Sequence, residues 1–121
     1  NASEAVDQHT GQVQISSHAT VLDDENPHLG LPAGEYVVLE VSDNGRGIDP
    51  DHQRRIFDPF FTTRSDGRGL GLSVVSGIVR AHHGAVEVHS QVNVGTTFTV
   101  WPRATGMCFR RLCCNTAMVT V

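Results

Sequence analysis

Two glycine clusters on either side of an aromatic patch restrict this chain more than any other feature. From Val37 to Leu72 it reads VVLEVSDNGRGIDPDHQRRIFDPFFTTRSDGRGLGL. Val37 to Val41 is apolar and rich in β-branched residues, the pattern of a buried strand. That strand runs into Asp43 and then into Gly45 and Gly47. Glycine permits positive φ and lets another group approach the backbone closely. Beyond the aromatic patch, Leu70, Val74, Val75, Ile78 and Val79 recur at helical spacing and predict a helix over Leu70 to Ala81, running on to His83. Gly67, Gly69 and Gly71 then fall at its N-terminal turn. Free N–H groups and the helix dipole favour an anion such as a phosphate there. A carboxylate at a strand end accepts hydrogen bonds, and the exocyclic amine of a base is a suitable donor. A base-reading carboxylate and a phosphate-reading helix start together suggest a nucleotide.

Either glycine cluster alone is compatible with an ordinary turn. The order strand, DxGxG, FxPFF, GxGLGL, helix is much more specific. With DNGRGID at Asp43–Asp49, IFDPFFTTR at Ile56–Arg64 and GRGLGLSVVSGIV at Gly67–Val79, the chain resembles the catalytic and ATP-binding domain of sensor histidine kinases, in the nitrogen-regulator style. That domain belongs to the wider Bergerat-fold class, with gyrase, heat-shock chaperone and mismatch-repair ATPases. HHGAVEVHS and GTTFTVWP resemble the family's closing strands.

The resemblance implies an α+β fold: a two-layer α/β sandwich with a mixed, mostly antiparallel sheet and helices on one face. It covers residues 1–102 and leaves 103–121 as a tail unlike the family. It implies that a strand and most of a first helix precede Asn1. The expected cofactors are ATP and Mg²⁺. The nucleotide-binding residues it implies are Asp43, Gly45, Gly47, Ile48, Phe57, Arg64, Gly67, Gly69, Leu70, Gly71, Leu72 and Thr96. Asp43 is expected to meet the adenine amino group, partly through water, with Thr96 supporting it. Gly45 and Gly47 are expected to wrap the backbone beneath the base. Phe57 is expected mostly in the core, with Phe60 and Phe61 at the base of a mobile lid. Arg64 stands where the family often has lysine near the phosphates; its bidentate fork suits phosphate. Arg68 replaces a residue that is often threonine. Only Ser65 and Asp66 separate Arg64 from Gly67, so the lid is shorter than in common members. Asn1 matches the asparagine that the family uses for magnesium; an amide oxygen is a plausible hard ligand.

The remaining elements follow from local patterns. Gly11–Leu22 alternates loosely and predicts a strand. Asp23–Gly34 reads as a polar loop, and Glu35–Ser42 as the next strand, the two strands pairing at the centre of a sheet. Asp49-Pro50 has the form of an N-cap and first helical position, starting a short helix through Arg55. His82 and His83 suit a helix C-terminus, with Gly84 as its cap. Ala85–Ser90 and Thr96–Trp101 predict antiparallel strands turning at Gly95.

A length of 121 residues fits one small domain. A formal charge of −4 leaves no basic footprint for nucleic acid. No apolar run is long enough to span a bilayer and no signal peptide is visible, so a cytoplasmic location without membrane contact is expected, as the cytoplasmic part of a sensor. Cys108, Cys113 and Cys114 are an odd set outside the motifs and suggest neither a disulfide framework nor zinc. The tail reads as an irregular appendage or, alternatively, as an extra strand over Ala117–Val121. An uncovered sheet edge invites pairing, so a homodimer or swapped assembly is a further expectation.

None of the seven histidines lies in the HE-x-x-x-P setting of a phosphoacceptor helix. The expected role is therefore to position ATP–Mg²⁺ for a histidine on a separate dimerisation domain, which in turn serves a response regulator. No catalytic residue is assigned within the chain, and the segment alone is expected to be inactive. The alternatives are a gyrase or mismatch-repair type ATPase module, or a truncated nucleotide-binding module without activity.

Overall fold

β-branched and apolar residues in period two build the two longest strands. β1 covers Gln12–Leu22 and β2 covers Gly34–Asp43. They pair antiparallel from Val13↔Asp43 to Leu22↔Gly34. The computed structural model describes residues 2–6, 11–63, 65, 67–104 and 115–120. Within these, a four-residue helix α1 (Ala2–Ala5) precedes β1. After β2 come α2 (Pro50–Gln53), α3 (Gly71–Ala81), β3 (Ala85–Gln91), β4 (Gly95–Trp101) and β5 (Asn115–Thr120). The sheet order is β3-β4-β2-β1-β5, and every neighbouring pair is antiparallel. No parallel pair occurs among the described strands, so the sheet is antiparallel rather than mixed there.

β2 sits at the centre. Its burial alternates, because successive side chains face opposite sides of a sheet. Tyr36 and Val38 are fully enclosed, whereas Leu39 is 37% exposed. The continuous burial expected for Val37–Val41 therefore gives way to period two. The Tyr36 hydroxyl donates to the Pro32 carbonyl at 2.8 Å, which satisfies its polar end. Leu31, in the β1–β2 connection, adds to this core with Val13, Ile56 and Val79.

α2 starts as its sequence dictates. The Asp49 side chain accepts from Asp51 N at 2.9 Å, and Pro50 holds the first helical position. α3 ends differently from expectation. The left-handed residue is His83, at φ +53°, not Gly84. His83 N donates to Arg80 O and Gly84 N to Val79 O, both at 2.9 Å, which makes a Schellman motif. Gly84 is needed for space: a Cβ there would lie 2.3 Å from the Trp101 carbonyl oxygen. Of the five apolar residues at helical spacing, Val79 alone is buried; Val74 and Ile78 are 54% and 55% exposed. One narrow side of α3 thus meets the sheet.

Pro102 does not end the ordered chain. Val37 N donates to Pro102 O, and Ala104 N to Glu35 O, so residues past β4 continue alongside β2. β5 pairs with β1 from Gln12↔Thr120 to Ser17↔Asn115. Cys108, Cys113 and Cys114 lie outside the described residues. Among the described residues no helix is long and apolar enough to cross a membrane.

Candidate functional site

β2 ends at Asp43, a residue that is only 8% exposed. Its Oδ1 accepts from Gly45 N at 2.9 Å in an Asx-type turn. Opposite it in β4 stands Thr96, 4% exposed. The Thr96 hydroxyl lies 2.8 Å from Ser90 Oγ, which also accepts from Ile48 N at 2.8 Å and donates to Gly95 O at 3.0 Å. Gln53 donates to the carbonyls of Ile48 and Ser90 at 2.8 and 3.1 Å. The loop after Asp43 is therefore clasped to the β3–β4 hairpin.

The glycines explain how this clasp fits. At Gly47, φ +70°, a Cβ would lie 2.1 Å from the Gln91 carbonyl oxygen. At Gly95, φ +144°, it would lie 1.9 Å from the Asp43 carbonyl oxygen. At Gly45 the nearest atom would be the Ala5 carbonyl oxygen, at 2.4 Å. In the first loop, then, close approach is between chain and chain, and not only between chain and ligand as the sequence suggested.

The second glycine cluster opens α3. Its N-cap, Leu70, makes no side-chain capping bond, and the first backbone bond runs from Val74 N to Leu70 O at 3.0 Å. Helix geometry leaves the N–H groups of Gly71, Leu72 and Ser73 without intrahelical partners. The aromatic patch is tied to this cluster. Phe60 N donates to Gly69 O at 2.8 Å, and a Cβ on Gly69, φ +64°, would lie 2.4 Å from the Phe60 carbonyl carbon. Phe60 itself has φ +68° and is 76% exposed.

Asp43 and the start of α3 line one cavity of about 790 Å³. This is within the range of small-molecule sites, about 300–1,000 Å³. Gly47, Ile48, Gly67, Gly69, Leu70, Gly71, Leu72 and Thr96 also line it. Gly45 and Phe57 do not belong to its lining: Gly45 stands behind Asp43 against α1, and Phe57 is half-buried away from the wall. Arg64 and Asn1 lie outside the described residues. Sequence reasoning gave no role in the cavity to Arg46, His52, Arg68 and Phe98, which line it too. It placed Phe61 only at a lid base, whereas the ring is part of the wall. His52 is 5.6 Å from that ring, and the Arg55 guanidinium sits 4.6 Å from its centroid. The motif hinted at Phe61, but His52 and Arg55 become visible only once α2 is placed. Among the described residues no group of three or more His, Cys, Asp or Glu side chains gathers as a metal cage.

An antiparallel sheet whose central strand ends in an aspartate, opposite a glycine-led helix start across a shared cavity, defines an ATP-binding domain. The chain belongs to the family of histidine kinase-, DNA gyrase B- and HSP90-like ATPases, whose family model matches residues 1–106. Among its relatives is the sensor histidine kinase ZraS of Salmonella typhimurium, 49% identical over 67 residues, which is 55% of this chain and 14% of that protein. The sensor kinase CckA of Brucella abortus is 48% identical over 73 residues, 59% of this chain and 8% of the relative. The signal transduction histidine-protein kinase AtoS of Escherichia coli is 48% identical over 62 residues, 51% and 10% respectively. The matched segment is thus a small part of each relative.

Proposed function

We propose that this chain is the ATP-binding catalytic domain of a two-component sensor histidine kinase, acting in the cytoplasm. The observation that carries the reading is the single cavity shared by Asp43 and the first turn of α3. The Asp43 carboxylate accepts from the adenine amino group, with Thr96 beside it. The N–H groups of Gly71 and Leu72, which have no intrahelical partners, and the dipole of α3 meet the phosphates. Gly67, Gly69 and Leu70 bring backbone close to the same groups, and Arg64 adds a guanidinium there. Gly47 and Ile48 line the base end, and Gly45 and Phe57 support it from behind.

Magnesium keeps waters and phosphate oxygens rather than filling a protein cage. Ala2 and Ala5 of α1 line the cavity, so the helix that Asn1 precedes borders the nucleotide's space. The Asn1 amide oxygen is the protein ligand this reading assigns to the ion, whose charge offsets that of the phosphates. In the transfer, the bond between the γ-phosphorus and the β–γ bridging oxygen breaks. A bond forms to an imidazole nitrogen, and ADP leaves. The acceptor imidazole belongs to a separate dimerisation domain, and a response regulator takes the phosphoryl group next. This chain's contribution is positioning and electrostatic stabilisation.

The layered arrangement of the family, helices on one face of the sheet, accompanies this reading, with residues 1–102 as the domain and 103–121 as a tail. Association into a homodimer is part of the proposal. Calorimetric titration with ADP and Mg²⁺ tests the central claim. Saturable binding at one site per chain is expected; no heat at millimolar nucleotide overturns it.

A further inference from the structure

We propose that Ser90 is a positioning residue that fixes the direction of the Thr96 hydroxyl, so that the base end of the cavity only accepts hydrogen bonds. It thereby selects a 6-amino purine over a 6-oxo purine. The inference rests on the nucleotide reading above and deepens it.

A serine hydroxyl has one hydrogen to donate and two lone pairs to accept with. Ser90 Oγ donates to Gly95 O at 3.0 Å and accepts from Ile48 N at 2.8 Å. One lone pair is left for its third neighbour, Thr96 Oγ1, at 2.8 Å. Thr96 must therefore be the donor in that contact. Its only hydrogen then points away from the cavity, and only lone pairs face inward. Its register partner Asp43 also presents oxygens there, and a carboxylate only accepts. Ser90 does not line this cavity; it lies behind Thr96, across the β3–β4 pair. It therefore acts through Thr96 and not on the ligand.

An adenine amino group offers two hydrogens directly to such a surface. A hypoxanthine O6 in the same place meets an acceptor with an acceptor. Leaving polar groups so opposed is a strong basis for discrimination, stronger than shape alone. Gly95 O and Ile48 N are backbone groups of fixed direction, so Ser90 has no freedom to rotate its proton toward Thr96 without losing a bond.

The test compares ADP with inosine 5′-diphosphate, both with Mg²⁺, by calorimetry on the 121-residue chain. The unsubstituted chain is expected to prefer ADP by at least about 100-fold. In Ser90→Ala the Thr96 proton is released and turns inward. ADP then weakens by about 3- to 10-fold while the inosine nucleotide tightens, so the preference falls by at least about tenfold. Ser90→Thr restores the preference. A merely structural role would weaken both nucleotides alike, and an unchanged ratio in a Ser90→Ala protein with a cooperative thermal transition overturns the proposal. If Ser90→Ala does not fold, Thr96→Val supplies the second arm: it removes the inward lone pairs and must also narrow the preference. Equal binding of the two nucleotides by the unsubstituted chain overturns this inference alone. Binding of neither overturns the nucleotide reading with it.

Discussion

At the Asp43 end of the cavity each group is held from several sides. Gly45 N fixes the carboxylate, Ser90 ties Ile48 to Thr96, and Gln53 bridges two carbonyls. At the α3 end the described wall combines the backbone of the glycine cluster with the side chains of Phe61 and Arg68. Leu70 makes no side-chain cap, Gly71 has open space around its Cα, and Phe60 is mostly exposed on a left-handed backbone. Among the described residues, Phe60 N donates to Gly69 O and fastens the aromatic patch to the glycine cluster. On the proposed binding mode the Asp43 end meets the base and the α3 end the phosphates; a base is a rigid shape, so fixed hydrogen-bond directions serve it. Phosphates are charged and change in number during turnover, so a helix dipole and an accessible loop serve them better.

Substitutions can break or sharpen this contrast. The largest effect belongs to Gly95→Ala on the braced side. Its Cβ would meet the Asp43 carbonyl oxygen at 1.9 Å on a φ of +144°. A loss of about 2–4 kcal/mol is expected, lowering Tm by about 10 °C or more in a thermal melt. Asp43→Asn comes next. It keeps an oxygen for Gly45 N but loses the charge, and calorimetry should show ADP binding weakened about 10- to 100-fold. Nearly unchanged affinity would mean that the braced end does not read the base. On the looser side, Arg68→Ala removes an exposed guanidinium from the cavity wall. Its effect should be about 3- to 10-fold on ATP, smaller on AMP, and reduced by added salt. The smallest effect is that of Phe60→Gly. It relieves a positive φ at a ring that is 76% exposed, so Tm should change by no more than about 5 °C in either direction.

The same contrast separates what was readable in the sequence from what was not. Strand β2, the Asp49 cap of α2 and the body of α3 announce themselves through a β-branched run, a capping residue and helical spacing, which are local. The reasons for the glycines are not local. Gly47 and Gly95 yield to carbonyls of Gln91 and Asp43, and only the folded hairpin brings those atoms near. Ser90 looked like an ordinary strand residue because its three partners come from Ile48, Gly95 and Thr96. Counting register back from Gly95 puts Ser90 opposite Thr96, a weak signal that was available. Phe57, expected mostly in the core, is half-buried and does not line the cavity. The apolar spacing of α3 predicted a helix but not how much of it is covered: Val79 is buried and Leu70, Val74, Val75 and Ile78 are exposed.

β5 carries a practical consequence. It runs antiparallel to β1, so Thr120 lies across from Gln12, next to Val13, whose other partner is Asp43. Thr120 thus lies at the Asp43 end of the sheet, far along it from Leu22. On the binding mode proposed above, a fluorophore attached at Thr120 would report occupancy of the Asp43 end of the cavity.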